Sequence, residues 1–364
     1  MQTSLNLWTT NNNSNKTGDI MSKPVSIAGW LATLPGILIV FCLTLSQAAI
    51  AQCNPDGNIE FICGPISPED LVPLPESSWV LVASWEDDGY LSAAHAGSRD
   101  TVRLFPGPGS RSRQDNTRFG QCPSPVQGGF RPHGMTLRES PTGADRLYVV
   151  RHGAREAIEI FEVDRVDNQP RLTWIGCVIA PDSVNMNSVV ALPGSGFGVT
   201  SPATGDLWEW VPENGWSRVA GSENIGPNGL EISSDGDWYY VAAYSDQSIL
   251  RLSRGQTPIV KESLATVGFN IDNIHWSANG EILAAGHRAV SGNRIGECIR
   301  RISCEGITSH VAIVNIETGE WDEIFNYPSN DNLRVGTTAI EVDNEIWIGS
   351  VAGSTRIAVI EAPR

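Results

Sequence analysis

Residues 226–253 read GPNGLEISSDGDWYYVAAYSDQSILRLS, and this stretch decides the architecture. Asp235-Gly236 is a tight-turn pair, because glycine supplies the positive φ that such turns demand. After it, Trp238–Ala242 has the aromatic and β-branched composition of a strand, and Ile249–Leu252 follows as the next one. Before it, Pro227–Ile232 places the polar Asn228 at the head of a short apolar strand. No helical periodicity runs through the segment.

The pattern recurs along the chain. Ser77-Ser78 precedes Trp79–Ala83, Ala144-Asp145 precedes Leu147–Val150, and Gly194-Ser195 precedes Phe197–Thr200. Asn279-Gly280 precedes Ile282–Ala285, and Asp343-Asn344 precedes Ile346–Gly349. Counted from Ser78, Asp145, Ser195, Asp235, Asn279 and Asp343, the intervals are 67, 50, 40, 44 and 64 residues. The short intervals fit a four-stranded blade, and the long ones fit that unit with an insertion. Further strands are read at Ile158–Val163, Leu207–Val211, Val311–Ile316 and Arg356–Ile360. The expectation is an all-β, six-bladed β-propeller over residues 52–364 with a central metal-binding channel. A β-sandwich competes, but six in-phase repeats favour the propeller.

Composition agrees. Charged residues are 18% of the 364, with 36 Gly, 22 Pro and 12 Trp, so the chain is turn-rich and able to bury a core. A net charge of −16 argues against nucleic acid, whose phosphates need a basic face. At the N-terminus, Lys23, the apolar run Ile27–Leu45 and Ala49-Ile50-Ala51 have the form of an export signal, so residues 1–51 read as a cleaved signal peptide. Met21 is an alternative start. The expected location is periplasmic or extracellular, with membrane association only if this segment is retained.

Outside that segment lie six cysteines, Cys53, Cys63, Cys122, Cys177, Cys298 and Cys304, an even number that in an oxidising compartment favours disulfides. No C-x-x-C pair supports a zinc ribbon. Cys298 and Cys304 are read as closing a loop in the fifth interval, taken as an exposed insertion. Cys122–Cys177 and Cys53–Cys63 are the consequent pairings among fifteen connectivities.

The repeat carries a second signal. Ahead of each turn a polar residue or pair precedes a short apolar strand: Glu69, His133, Asn187, Asn228, Asp272 and Thr337-Thr338. In a propeller the innermost strands line the axis, so equivalent positions converge. Carboxylate and amide oxygens from several blades are the ligand set of Ca²⁺, whereas zinc prefers His or Cys. A lone Asn or Asp near a turn is usually a turn former, and a purely structural polar channel is the competing reading.

Ser67–Leu71 (SPEDL), Phe130–Met135 (FRPHGM), Leu147–His152 (LYVVRH), Asn187–Ala191, Pro227–Ile232 and Ile271–Ile274 together resemble the paraoxonase/arylesterase family, a six-bladed propeller relative of the gluconolactonases. The resemblance runs from about Cys63 to the C-terminus. It implies a calcium ion bound by Glu69, Asn187, Asn228, Asp272 and Asn273, and a histidine pair, His133 and His152, acting on the hydrolytic water. It also places His287 in the substrate pocket, and Thr337 is taken as a further pocket residue. A second calcium would use Asp70, the carbonyl of Met135 and an acid where this chain has Ser188. The family's bridge to the last strand has no C-terminal cysteine here, so closure falls to strand pairing or another disulfide.

The implied activity is calcium-dependent hydrolysis of a small, fairly apolar ester or lactone. Sugar-lactone hydrolysis of the gluconolactonase type and a non-catalytic binding propeller are the alternatives. No G-x-S-x-G elbow marks a serine hydrolase, and Gly107/Gly109 and Gly194/Gly196 read as loop glycines rather than phosphate cradles. Trp79, Trp208, Trp210, Trp238 and Trp347 fall on strands and are expected to pack blades. His95, His275 and His310 are expected to be hydrogen-bonded structural residues.

Overall fold

A computed structural model of the chain describes residues 53–363 apart from 127, 142, 292 and 293. The expected signal peptide lies outside the described residues. Six sheets of four or five strands form the blades of a propeller. The innermost strands are Pro68–Pro73, Phe130–Arg138, Val189–Ala191, Pro227–Ile232, Asn270–Trp276 and Val335–Val342. Each contacts the next, and the sixth returns to the first, so they ring the axis. The strands expected after each turn are the second strands of the blades, from Trp79–Ser84 in blade 1 to Glu345–Val351 in blade 6.

Second strands are buried on both faces because blades pack face to face: every residue of Trp79–Ser84 is buried. Hence they are continuous apolar runs rather than alternating ones. Large side chains fill the gaps between blades, among them Phe105, Phe130 and Phe161, whose rings meet edge to face at 4.8–5.5 Å. Each such ring contributes about 1.5–3 kcal/mol by leaving water.

Strand pairing closes the ring. Glu60–Cys63, from the start of the propeller, forms the outer strand of blade 6 against Arg356–Glu361, with Glu60 opposite Val359 and Cys63 opposite Arg356. Cys53–Cys63 ties the preceding segment to that strand. Cys122–Cys177 fastens the insertion of the first interval to the outer antiparallel strand of blade 2. Cys298–Cys304 closes the short loop expected from spacing. These three bonds suit an oxidising, exported setting.

One expectation is corrected here. The insertion carrying Cys298 is not simply exposed: Cys298 is fully buried, and the helix Arg294–Ile299 packs with Ile307, Val335, Val351 and Trp85. Among the described residues no helix is long and apolar enough to cross a membrane.

Candidate active site

The innermost strands are irregular at the positions singled out by sequence. Pairing with the second strand shifts register between Pro68 and Asp70, Pro132 and Met135, Pro227 and Leu230, Ile271 and Ile274, and Gly336 and Thr338. The skipped residues include Glu69, His133, Asn228, Asp272, Asn273 and Thr337. A bulge removes its residue from the ladder and re-aims the side chain. Asn187 comes to the same place from the loop before its strand, its N–H donating to Thr200 O at 3.1 Å.

Two glycines let neighbouring bulges approach. A Cβ on Gly134 would lie 2.6 Å from Asn187 O, and one on Gly229 would lie 2.6 Å from Asp272 O. The pairs His133-Gly134 and Asn228-Gly229 therefore place a polar side chain beside a residue that must have none.

Glu69, His133, Asn187, Asn228, Asp272, His287 and Thr337 line one axial cavity of about 220 Å³. Glu69 Oε2, Asn187 Oδ1 and Asn228 Oδ1 are buried there with no hydrogen-bond partner. Leaving such atoms unpaired costs about 1–3 kcal/mol each. Three orphaned oxygens facing one cavity are what a hard cation would satisfy, so the donor chemistry fits calcium. Asn273 Nδ2 donates to Glu69 Oε1 at 2.8 Å, and Thr337 Oγ1 donates to Glu69 O at 2.8 Å. As oriented, both steady Glu69. Two of these three oxygens are amide oxygens, and no group of three or more His, Cys, Asp or Glu with metal-holding geometry occurs among the described residues.

The electrostatics agree. Burial, and then the charge of Asp70, holds the Glu69 carboxyl well above its usual range. Burial, and then Glu69, does the same to Asp272. Two acids buried this close want a counter-charge, since an uncompensated buried ion costs on the order of several kcal/mol.

Beside them stands a relay. His133 Nδ1 lies 2.9 Å from His152 Nε2, and His152 Nδ1 lies 2.7 Å from Glu156 Oε2. The carboxylate can only accept, so His152 donates from Nδ1 and presents a lone pair at Nε2. His133 then donates from Nδ1, which leaves the lone pair of its Nε2 toward the cavity, 3.4 Å from Glu69 Oε1. Burial lowers His133 to about 4 and lowers His152 as well, so the neutral ring is the resident form.

Glu156 was missed by sequence reasoning. Its Oε1 accepts from Met186 N–H at 2.7 Å, which fixes it against the segment carrying Asn187. Its only sequence signal is a position four residues after His152, across the turn between two strands. His287 is 2% exposed, donates from Nδ1 to Gly336 O at 2.9 Å and accepts from the Tyr244 hydroxyl at 2.8 Å. Trp85, Ile295, Ile299 and Val351 supply an apolar wall, and Trp85 lies against His133 with ring centroids 5.5 Å apart.

The second-cation residues present a different picture. All of the buried oxygens of Asp70 have protein partners: Met135 N–H on Oδ2, and Leu71 N–H, Thr338 Oγ1 and His275 Nε2 on Oδ1. The Met135 N–H already occupies Asp70 Oδ2, and Ser188 brings no charge. Asp70, Met135 and Ser188 do not fit a second calcium. His95 Nδ1 accepts from the Gly97 and Ser98 N–H groups at 3.2 and 3.1 Å, and His310 Nδ1 lies 2.6 Å from Glu323 Oε1, so both are hydrogen-bonded within the protein. A larger groove of about 570 Å³ runs between Asn116–Gln121 and Trp210/Trp216, but it holds no relay and no orphaned oxygen.

No family profile matches the sequence, and no curated protein matches it. Solved structures of similar fold exist at low identity. A gluconolactonase from Xanthomonas campestris is 13% identical with a TM-score of 0.52, covering 84% of this chain and 89% of its own. A luciferin-regenerating enzyme is 11% identical with a TM-score of 0.52, over 84% of this chain and 97% of its own. The calcium-binding protein regucalcin from Agrobacterium tumefaciens is 11% identical with a TM-score of 0.50, over 82% and 90%. At such identities the likeness is one of fold.

Proposed function

We propose that this chain is a calcium-dependent hydrolase of small apolar esters or lactones, of the kind its paraoxonase-like segments imply. The observation that carries the reading is the cavity in which Glu69 Oε2, Asn187 Oδ1 and Asn228 Oδ1 lack partners beside His133 Nε2, an acceptor whose nearest donor is Asn187 Nδ2 at 3.5 Å. The described neighbours include a gluconolactonase and a calcium-binding regucalcin, which supports both the lactone and the cation.

Glu69, Asn187, Asn228 and Asp272 would hold the ion, with Asn273 beside Glu69. A bound calcium supplies a fixed positive charge that polarises the substrate carbonyl and stabilises the oxyanion. His133 Nε2 takes a proton from water as the water oxygen bonds to the carbonyl carbon. His152 accepts the His133 Nδ1–H bond and spreads the imidazolium charge toward Glu156. Collapse of the tetrahedral adduct breaks the acyl carbon–oxygen bond, and His133 returns its proton to the departing alkoxide. The products are a carboxylate and an alcohol, joined as one hydroxy acid when the substrate is a lactone. A general base of this sort contributes about 10²–10⁴-fold.

The apolar wall favours an aliphatic or aromatic acyl group over a polyhydroxylated sugar lactone, which would leave its hydroxyls unpaired. The test is hydrolysis of chromogenic esters and aliphatic lactones with and without chelator. Turnover that needs calcium and His133 supports the reading. Calcium-dependent turnover that survives His133→Gln favours the gluconolactonase type, and absence of any turnover favours a binding propeller.

A further inference from the structure

Asp70 follows Glu69 in sequence and is equally buried, 1% exposed. Its Oδ1 lies 2.9 Å from His275 Nε2. The other ring nitrogen, His275 Nδ1, lies 3.3 Å from Glu231 Oε1. Neither Asp70 nor Glu231 is among the residues with orphaned buried atoms. The ring therefore spans the two carboxylates, with one nitrogen toward each. Thr338 Oγ1 completes the set, donating to Asp70 Oδ1 at 3.1 Å. A buried carboxylate whose oxygens are taken up by protein donors needs no ion, whereas an isolated one would demand it.

We propose that the His275 ring takes the place of a second axial cation, so that Asp70 and Glu231 are bridged by the protein's own side chain and bind no metal. Three features of the structure converge on this. Asp70 Oδ2, which a cation would need, already accepts the Met135 N–H at 2.7 Å. Ser188 stands where an acidic ligand would be needed. And the ring lies at an opening of about 270 Å³ lined by Met135, Ser188, Glu231, His275 and Glu341, whose lining does not include Asp70. The ring fills the place between Asp70 and Glu231. Replacing the ring by a carboxylate should convert the bridge into an acidic, oxygen-only cage of the type calcium takes.

The experiment counts calcium per chain by mass spectrometry after chelation, reloading and dialysis, in the wild type, His275→Asp and His275→Asn. His275→Asp is expected to bind one equivalent more than the wild type, and its thermal midpoint to rise with added calcium. An unchanged count in both variants overturns the proposal. So does a wild-type equivalent that survives Asp272→Ala but vanishes in Asp70→Asn, and this arm decides the matter should neither His275 variant fold. The readout is a difference between proteins. A wild type that binds no calcium would sink the assignment of Glu69, Asn187, Asn228 and Asp272, while a gain in His275→Asp would still support the bridge.

Discussion

Glu69 and Asp70 are consecutive, both acidic and both 1% exposed, yet they live in opposite chemical states. Glu69 sits at a bulge with one oxygen orphaned and the other held by Asn273. Asp70 rejoins the ladder with four donors on its two oxygens. The bulge takes Glu69 out of the ladder that Asp70 rejoins, so the two side chains have different surroundings, and the surroundings assign the roles. A fully satisfied acid holds the blades together, and an unsatisfied one waits for a ligand. Burial alone would not have told them apart.

The largest effect expected from this contrast is on the unsatisfied side. Asp272→Ala should remove the tightly bound calcium and abolish lactone turnover, as chelation should in the wild type. It should also lower the thermal midpoint, since an ion at 100 times its Kd stabilises the folded state by about 2.7 kcal/mol. Unchanged calcium in Asp272→Ala, measured by elemental analysis, would break the assignment. Next comes His133→Gln, which should cut kcat by about 10²–10⁴ with calcium retained. Loss of calcium in that variant would make His133 a structural residue of the channel.

On the satisfied side the expectation reverses. Asp70→Asn should leave calcium content and kcat nearly intact while destabilising the fold by about 3 kcal/mol, because it strips a buried charge pair of one partner. Denaturant unfolding and elemental analysis together check this. A variant that kept its stability but lost calcium would erase the distinction between the two acids.

The repeat made much of this legible. Glu69, His133, Asn187, Asn228, Asp272 and Thr337 could be chosen from sequence because all sit at one phase of a six-fold pattern, and the phase maps onto the axis. The bulges were not legible, since they break the alternation by which strands are recognised. Nor was the apolar wall: Ile295 and Ile299 belong to an insertion outside the repeat, where nothing in the spacing tells a surface loop from a wall of the cavity. His275 was read as structural, and its hydrogen bonds agree, but its place between Asp70 and Glu231 depends on blades 1, 4 and 5 meeting. Glu156 escaped for a similar reason. It acts through a contact between a turn of blade 2 and the backbone of Met186.

Glu156 carries the smallest of the expected effects and the most specific one. It does not line the cavity, so it positions the base by fixing the His152 tautomer. Glu156→Gln keeps the shape but can donate as well as accept, so it weakens that preference. Turnover should fall by about tenfold, well short of the His133 loss, because the ring remains. The pH profile adds a readout that mere loosening would not move. The active form of His133 is neutral, so the rate falls on the acid side as this ring protonates. Burial lowers its pKa to about 4, so the wild-type acid limb should lie below the ordinary imidazole value of 6.5. A bound cation would push it in the same direction. The charge of Glu156 works against burial and raises His133. Removing it should move the acid limb to still lower pH even as the plateau drops. Calcium content measured at each pH separates this limb from loss of the ion. A limb that stays in place, or moves upward, would reduce Glu156 to a brace for the Met186 backbone and leave His133 and His152 as the whole of the relay.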